Sequence, residues 1–422
     1  MKLLLSVAIL LLVSAGAHAN TGHQHSHGDS AKPANSLALR CEAPFALPTA
    51  ECAVAPMPIF GPDGRLWLSY VSHGHVYLSH SDDLGDTFSP PMLVNLVPEK
   101  IYADKENRPK LAFGHDGELF VSWTRKRKAK YSGEIRFSRS LDGGRSFDAT
   151  RSLIDEGALS SHRFDSMAID DEGRLYVAWI DKRDKAAAQS KGEDYAGGSV
   201  YYSVSEDGGA TFSQNKKIID NSCECCRLKA QSDDQGRIHV LWRNIYPGSI
   251  RDNAMAVLDN GDMIKSATRV TNDNWKIEAC PHHGPDIALD AQSRLHAVWF
   301  NGGGKRPGLA YGRFDSANNV LEHDISIDGS PAASHPRVYS KGDQVYLVWK
   351  RLVGDETEIR LIESSDAGAT WSEHKVVAST LGESDQAFLL GDGKQVYLSW
   401  RTDNEGYRLI ALNTDRVTKL ED

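Results

Sequence analysis

The chain has 422 residues, with 48 Lys+Arg against 57 Asp+Glu and a formal net charge of −9 at pH 7. That mild acidity argues against a nucleic-acid polyanion as the main partner. The one long apolar run, at the N-terminus, is too short to span a bilayer, so no stable membrane insertion is expected.

Met1 to Ala19 reads as a secretory signal: Lys2 supplies the positive start, Leu3 to Val13 the apolar stretch, and Ala17 to Ala19 a small-residue cleavage site. A periplasmic or secreted location follows as an expectation, and with it disulfides among the six cysteines. Residues 20–36 are polar, without periodicity, and read as a disordered tail. Within it His23, His25 and His27 alternate, a pattern that can take up Cu(II), Ni(II) or Zn(II), or be a solvated linker. Cys41 and Cys52 flank a short Pro-containing loop and are expected to pair. Residues 37–422 are read as one domain.

Along that domain an alternating run recurs, ending in turn at Tyr70, Trp123, Trp179, Trp242, Trp299, Trp349 and Trp400. Large residues on both faces of each run suit strands sandwiched between neighbours. A second pattern, Ser-x-Asp-x-Gly-x-Thr/Ser-Phe/Trp, occurs four times, beginning at Ser81, Ser140, Ser205 and Ser364. Its Asp accepts backbone N–H groups, its Gly takes positive φ and its aromatic plugs the turn onto the sheet. Degenerate copies surround Asp259 to Gly261 and Asp315. On these four boxes the chain resembles the Asp-box (BNR-repeat) β-propellers, the superfamily that includes the sialidases, over nearly everything after about residue 50. The implied fold is an all-β propeller. The seven aromatic-ended runs favour seven blades, with six as the alternative, and the last unit, one strand short, is expected to be completed by Leu37 to Cys41.

In such a ring the turns that enter each innermost strand open on one face, opposite the Asp boxes. Those turns carry Arg108, Arg163, Arg227 and Arg337, forks suited to a carboxylate or phosphate. The resemblance implies substrate clamps on an acidic glycan, with Asp104 or Asp165 as an acid, although Asn107-Arg108-Pro109 departs from the family's arginine motif and no Tyr–Glu nucleophilic pair is assignable. The arginines could instead pair with carboxylates around the channel. Basic runs such as Arg125 to Lys128, Lys182-Arg183 and Lys350-Arg351 would make that face positive.

Cys223-Glu224-Cys225-Cys226 is the sharpest local signal, because three thiols within four residues cannot all be satisfied locally and a vicinal disulfide would be strained. With Cys280, His282 and His283 they form a soft donor set suited to copper or zinc, to which His162, His335 and Met57 could add. A pair of structural disulfides is the other reading. The sequence is therefore read first as an exported metal-binding propeller, copper foremost. An exo-sialidase-type hydrolase of acidic glycans and a non-catalytic propeller that binds a glycan or protein are the alternatives, so the expected partner is a metal ion or a small anionic ligand.

Overall fold

The computed structural model describes Cys41 and residues 48–104, 106–155, 160–315 and 320–412. The expected signal, the His-rich tail and Leu37 to Arg40 of the expected closing strand lie outside them. Cys41 and Cys52 form a disulfide.

Each aromatic-ended run becomes the second strand of an antiparallel unit. The first unit contains Val54–Phe60, Leu66–Ser72, His75–Ser81 and Met92–Leu93; the second Lys110–Phe113, Leu119–Lys126, Gly133–Ser140 and Arg151–Ser152. The third contains His162–Ile169, Leu175–Asp181, Gly198–Ser205 and Lys216–Ser222; the fourth Lys229–Ser232, Ile238–Tyr246, Ile250–Asp259 and Asp262–Arg269. A single pairing, Ser222 with Asn244, links these two into one sheet. Asp286–Leu289, Leu295–Asn301, Gly308–Asp315 and Val320–Asp328 form the fifth unit, and Ala333–Lys341, Gln344–Val353, Glu356–Ser364 and Lys375–Thr380 the sixth. The seventh has three strands among the described residues, Phe388–Gly391, Val396–Thr402 and Gly406–Ala411. First strands pack in cyclic order, and Phe388–Gly391 returns to Val54–Phe60.

The second strands carry the core. Leu175–Asp181 is buried at every position, as a strand covered on both faces must be. Each terminal aromatic also has a polar atom to satisfy once buried. Trp123 donates to Glu99 at 2.8 Å, Trp179 to Asp181 at 2.8 Å, Trp299 to Asp273 at 2.7 Å and Trp349 to Asp328 at 2.9 Å. Trp242 donates to Asn244, Trp400 to the Asp385 carbonyl and Tyr70 to the Pro48 carbonyl. Each junction between neighbouring units has its own apolar cluster, including the junction of seventh and first, where Leu66, Leu390 and Tyr397 meet.

The Asp boxes form the turns after third strands. In the first, Asp83 accepts the Thr87 N–H at 2.8 Å, the Thr87 hydroxyl at 2.6 Å and the Ser81 hydroxyl at 2.7 Å, while Ser81 Oγ accepts the Gly85 N–H at 2.7 Å. The same set recurs at Asp142, Asp207 and Asp366. In an antiparallel unit those turns lie at the end opposite the entry to the first strand. The boxes are therefore on one face and Arg108, Arg163, Arg227 and Arg337 on the other. Among the described residues no helix is long and apolar enough to cross a membrane.

Candidate functional site

The connection from Lys216–Ser222 to Lys229–Ser232 carries the cysteines on the entry face. It is pinned at its start. The Cys223 N–H donates to the Arg243 carbonyl at 2.9 Å, and Glu224 is ion-paired with Lys182 and Lys185 at the start of a helix, Arg183–Ser190, inserted into the third unit. With Glu224 drawn outward, its neighbours turn in: Cys223, Cys225 and Cys226 are 2%, 5% and 1% exposed. Their sulfurs stand 3.8 Å apart for Cys223 and Cys225 and 3.1 Å for Cys223 and Cys226, all three within 4.8 Å of one another. None is in a disulfide.

Cys280 arrives, exposed, on the next entry loop, which packs closely on the cysteine loop at Arg227. That approach depends on Gly284, where a Cβ would lie 2.4 Å from the Arg227 carbonyl oxygen and 2.8 Å from its nitrogen. A side chain there would push the two loops apart. Hydrogen bonds from Cys225 and Cys226, helped by the Arg243 guanidinium, hold the Cys223 thiol well below its usual range, and burial raises Cys226. Arg243 is itself buried, donating from Nη2 to the Phe300 carbonyl at 2.6 Å and lying over the Trp275 ring, while its Nε and Nη1 have no partner among the described residues.

Among the described residues the predicted imidazoles do not join the mutually close donor group, which holds Cys223, Cys225 and Cys226. His282 is exposed, with φ +54. His283 packs on Phe300 and His335, ring centroids 4.2 Å and 4.7 Å away, and burial with Arg243 nearby lowers it to about 4. His162 is held by Asp181 at 2.9 Å, and Met57 lines the central channel.

Three of the four arginines are taken up by residues on the entry turns of other units. Arg108 makes a two-pronged pair with Asp385 at 2.8 and 2.9 Å. Arg227 grips Glu106 at 3.0 and 3.2 Å. Arg337 donates to Gln386 at 2.7 Å, and Gln386 in turn donates to Glu106 at 2.8 Å. Arg163 differs: it stacks over Tyr102 and Phe164, 4.3 and 4.5 Å from the centroids, with no ion pair among the described residues and a buried Nε without a partner. Below this layer a channel of about 590 Å³ is lined by the first strand of every unit. Its next layer runs Lys110, Asp165, Lys229, Asp286 through consecutive units, alternating in sign. Burial lowers Lys110 to about 8 against the opposing pull of Asp165.

Neither predicted acid stands as one of a flanking carboxylate pair. Asp104 is exposed and caps its own turn by accepting the Asn107 N–H at 2.9 Å. Asp165 is buried and accepts the Ser122 hydroxyl at 2.5 Å. Sequence reasoning missed Glu106, Gln386 and the part played by Arg243. Glu106 lies two residues before Arg108 in an entry turn, a position that could have marked it.

No protein-family model and no curated protein matches the sequence. Among solved structures the chain is similar to a polysaccharide lyase of family PL25, an ulvan lyase (TM-score 0.53, 12% identity, 86% of this chain and 94% of that one). It is similar also to the polysaccharide lyase Uly1 (TM-score 0.51, 12% identity, 86% and 90%) and to the Hadza microbial sialidase Hz136 (TM-score 0.50, 11% identity, 81% and 74%). The class is thereby defined: the chain has the fold of the sialidase-like β-propellers. At such identities the likeness speaks for the fold alone.

Proposed function

We propose that the protein is an exported β-propeller that binds a soft transition metal, copper(I) foremost, through Cys223, Cys225 and Cys226. One observation carries this reading: three buried thiols, outside any disulfide, converge on one point. Two metal–sulfur bonds of about 2.3 Å at a tetrahedral angle put their sulfurs about 3.8 Å apart, the separation of Cys223 and Cys225, while Cys223 and Cys226, at 3.1 Å, would have to part on binding. Structural zinc takes four ligands, and the fourth sulfur stands outside the trio; a three-sulfur set suits copper(I) better. In an oxidising compartment thiols this close tend to cross-link, and a bound soft ion protects them. Arg243 offsets part of the cost of gathering anionic sulfur. Metal analysis of protein purified under anaerobic conditions tests the reading. One metal per chain is expected, lost in Cys223→Ser/Cys225→Ser/Cys226→Ser with the fold retained; protein with no metal and every thiol oxidised would contradict it.

A second reading has a specific observation behind it. The fold neighbours are named as polysaccharide lyases and a sialidase, and Arg163 presents a guanidinium without a counter-ion among the described residues beside Tyr102. On that basis the mouth receives a carboxylate or sulfate of an acidic glycan. Cleavage or binding of a sialoside or uronate-containing oligosaccharide by the wild type, lost in Arg163→Ala, would favour this reading over the first.

A further inference from the structure

We propose that the central channel is a binding site for inorganic phosphate, with Lys110, Lys229 and Arg337 as donors and Asp165 and Asp286 as acceptors. The site is separate from the thiol centre and does not depend on the metal-binding reading. The channel's own charges do not balance. Arg108 is matched by Asp385, and Arg227 by Glu106. That leaves three lining cations, Lys110, Lys229 and Arg337, against two lining carboxylates, Asp165 and Asp286. The Lys229 ammonium has neither a hydrogen bond nor an ion pair within 4.0 Å among the described residues. Arg337 makes one hydrogen bond, to Gln386, and its Nη1 stands 3.8 Å from Asp286. Lys110 donates to the Arg108 carbonyl at 2.7 Å. A surplus charge withdrawn from bulk water is costly without a counter-ion. Burial accordingly lowers Lys229, and lowers Arg337 to about 9. An anion in the channel supplies the charge that the protein does not.

The carboxylates choose which anion. Asp286 accepts the Val338 N–H on Oδ2 at 3.3 Å, and Asp165 accepts the Ser122 hydroxyl on Oδ2 at 2.5 Å. Each therefore keeps an oxygen without a hydrogen bond among the described residues. A ligand seated between ammonium groups and such oxygens must both accept and donate. Phosphate at neutral pH does both, because it keeps a proton alongside its charge. Sulfate and chloride only accept, and would set an anion against Asp165 and Asp286. The channel volume of about 590 Å³ leaves room for the ion and for bridging water.

The test titrates the full chain, dialysed free of phosphate at neutral pH, with sodium phosphate, sulfate and chloride, read by calorimetry and thermal melts. Phosphate is expected to bind and to raise Tm by several degrees at saturation, with sulfate at least about tenfold weaker. Lys229→Met and Lys229→Gln should lose phosphate binding. Their Tm in phosphate-free buffer should match or exceed that of the wild type, because they remove the surplus charge and leave no carboxylate unpaired. Asp286→Asn should narrow the preference for phosphate over sulfate. No phosphate binding by the wild type, or equal binding in both Lys229 variants, would overturn the site. Sulfate bound as tightly as phosphate would overturn the choice of ligand.

Discussion

Glu106 is drawn in opposite directions by its surroundings. Burial alone would raise its carboxyl, but Arg227, His335 and Arg337 outweigh burial and hold it at about 2. A folded value below the unfolded value of about 4.3 means that the carboxylate stabilises the protein fully above that pH, and that this contribution, roughly 3 kcal/mol, is lost as pH falls towards 2. Thermal melts should accordingly show a steep fall in Tm between about pH 4.5 and 2.5, and Glu106→Gln should flatten that slope. At neutral pH the same variant should cost about 3–5 kcal/mol, because it leaves Arg227 buried without its counter-charge. An unchanged acid limb in the variant would show that the network does not act as described. The arginines beside Glu106 could be read from sequence, since they recur at equivalent turns. Their partners could not, because the contact between Arg227 and Glu106 spans 121 residues and no local pattern marks such a pair.

At the scale of elements, the strands were the most legible part. The seven aromatic-ended runs and the four Asp boxes announce themselves because alternation and turn chemistry are local. The helix Arg183–Ser190 escaped: Lys182-Arg183 reads as a basic turn, and eight residues without an apolar face give no helical period. Its importance lies in Glu224, which it anchors. Replacing both Lys182 and Lys185 with Ala should loosen the cysteine loop, raising the rate at which reduced, metal-free protein is alkylated at Cys225 and Cys226; equal rates would show that the loop is set by its backbone alone. The strands themselves depend on their terminal aromatics. Trp242→Ala, which empties a fully buried site, should cost about 3–5 kcal/mol in denaturant melts, and a loss below about 1 kcal/mol would contradict its place in the core.

The described strand units close into a ring in which every junction has its own apolar cluster, so removing one unit exposes two such surfaces. A chain ended at residue 387 would uncover Leu66 and Val348 at once, and is expected to give no soluble folded protein; a soluble monomer with native near-UV dichroism would show that the ring tolerates opening. The ring also explains why the site was only partly legible. Cys223 to Cys226 signalled themselves by spacing, yet His282 and His283, adjacent to Cys280 in the written sequence, do not join the mutually close sulfurs among the described residues: His282 is exposed and His283 packs on Phe300. The central claim, that the entry face presents a sulfur-only soft-metal centre, is tested most directly by X-ray absorption at the metal edge of copper(I)-loaded protein. A first shell of three sulfur atoms at about 2.3 Å and no imidazole signature are expected. A shell of nitrogen and oxygen, or spectra identical in wild type and Cys223→Ser/Cys225→Ser/Cys226→Ser, would contradict it.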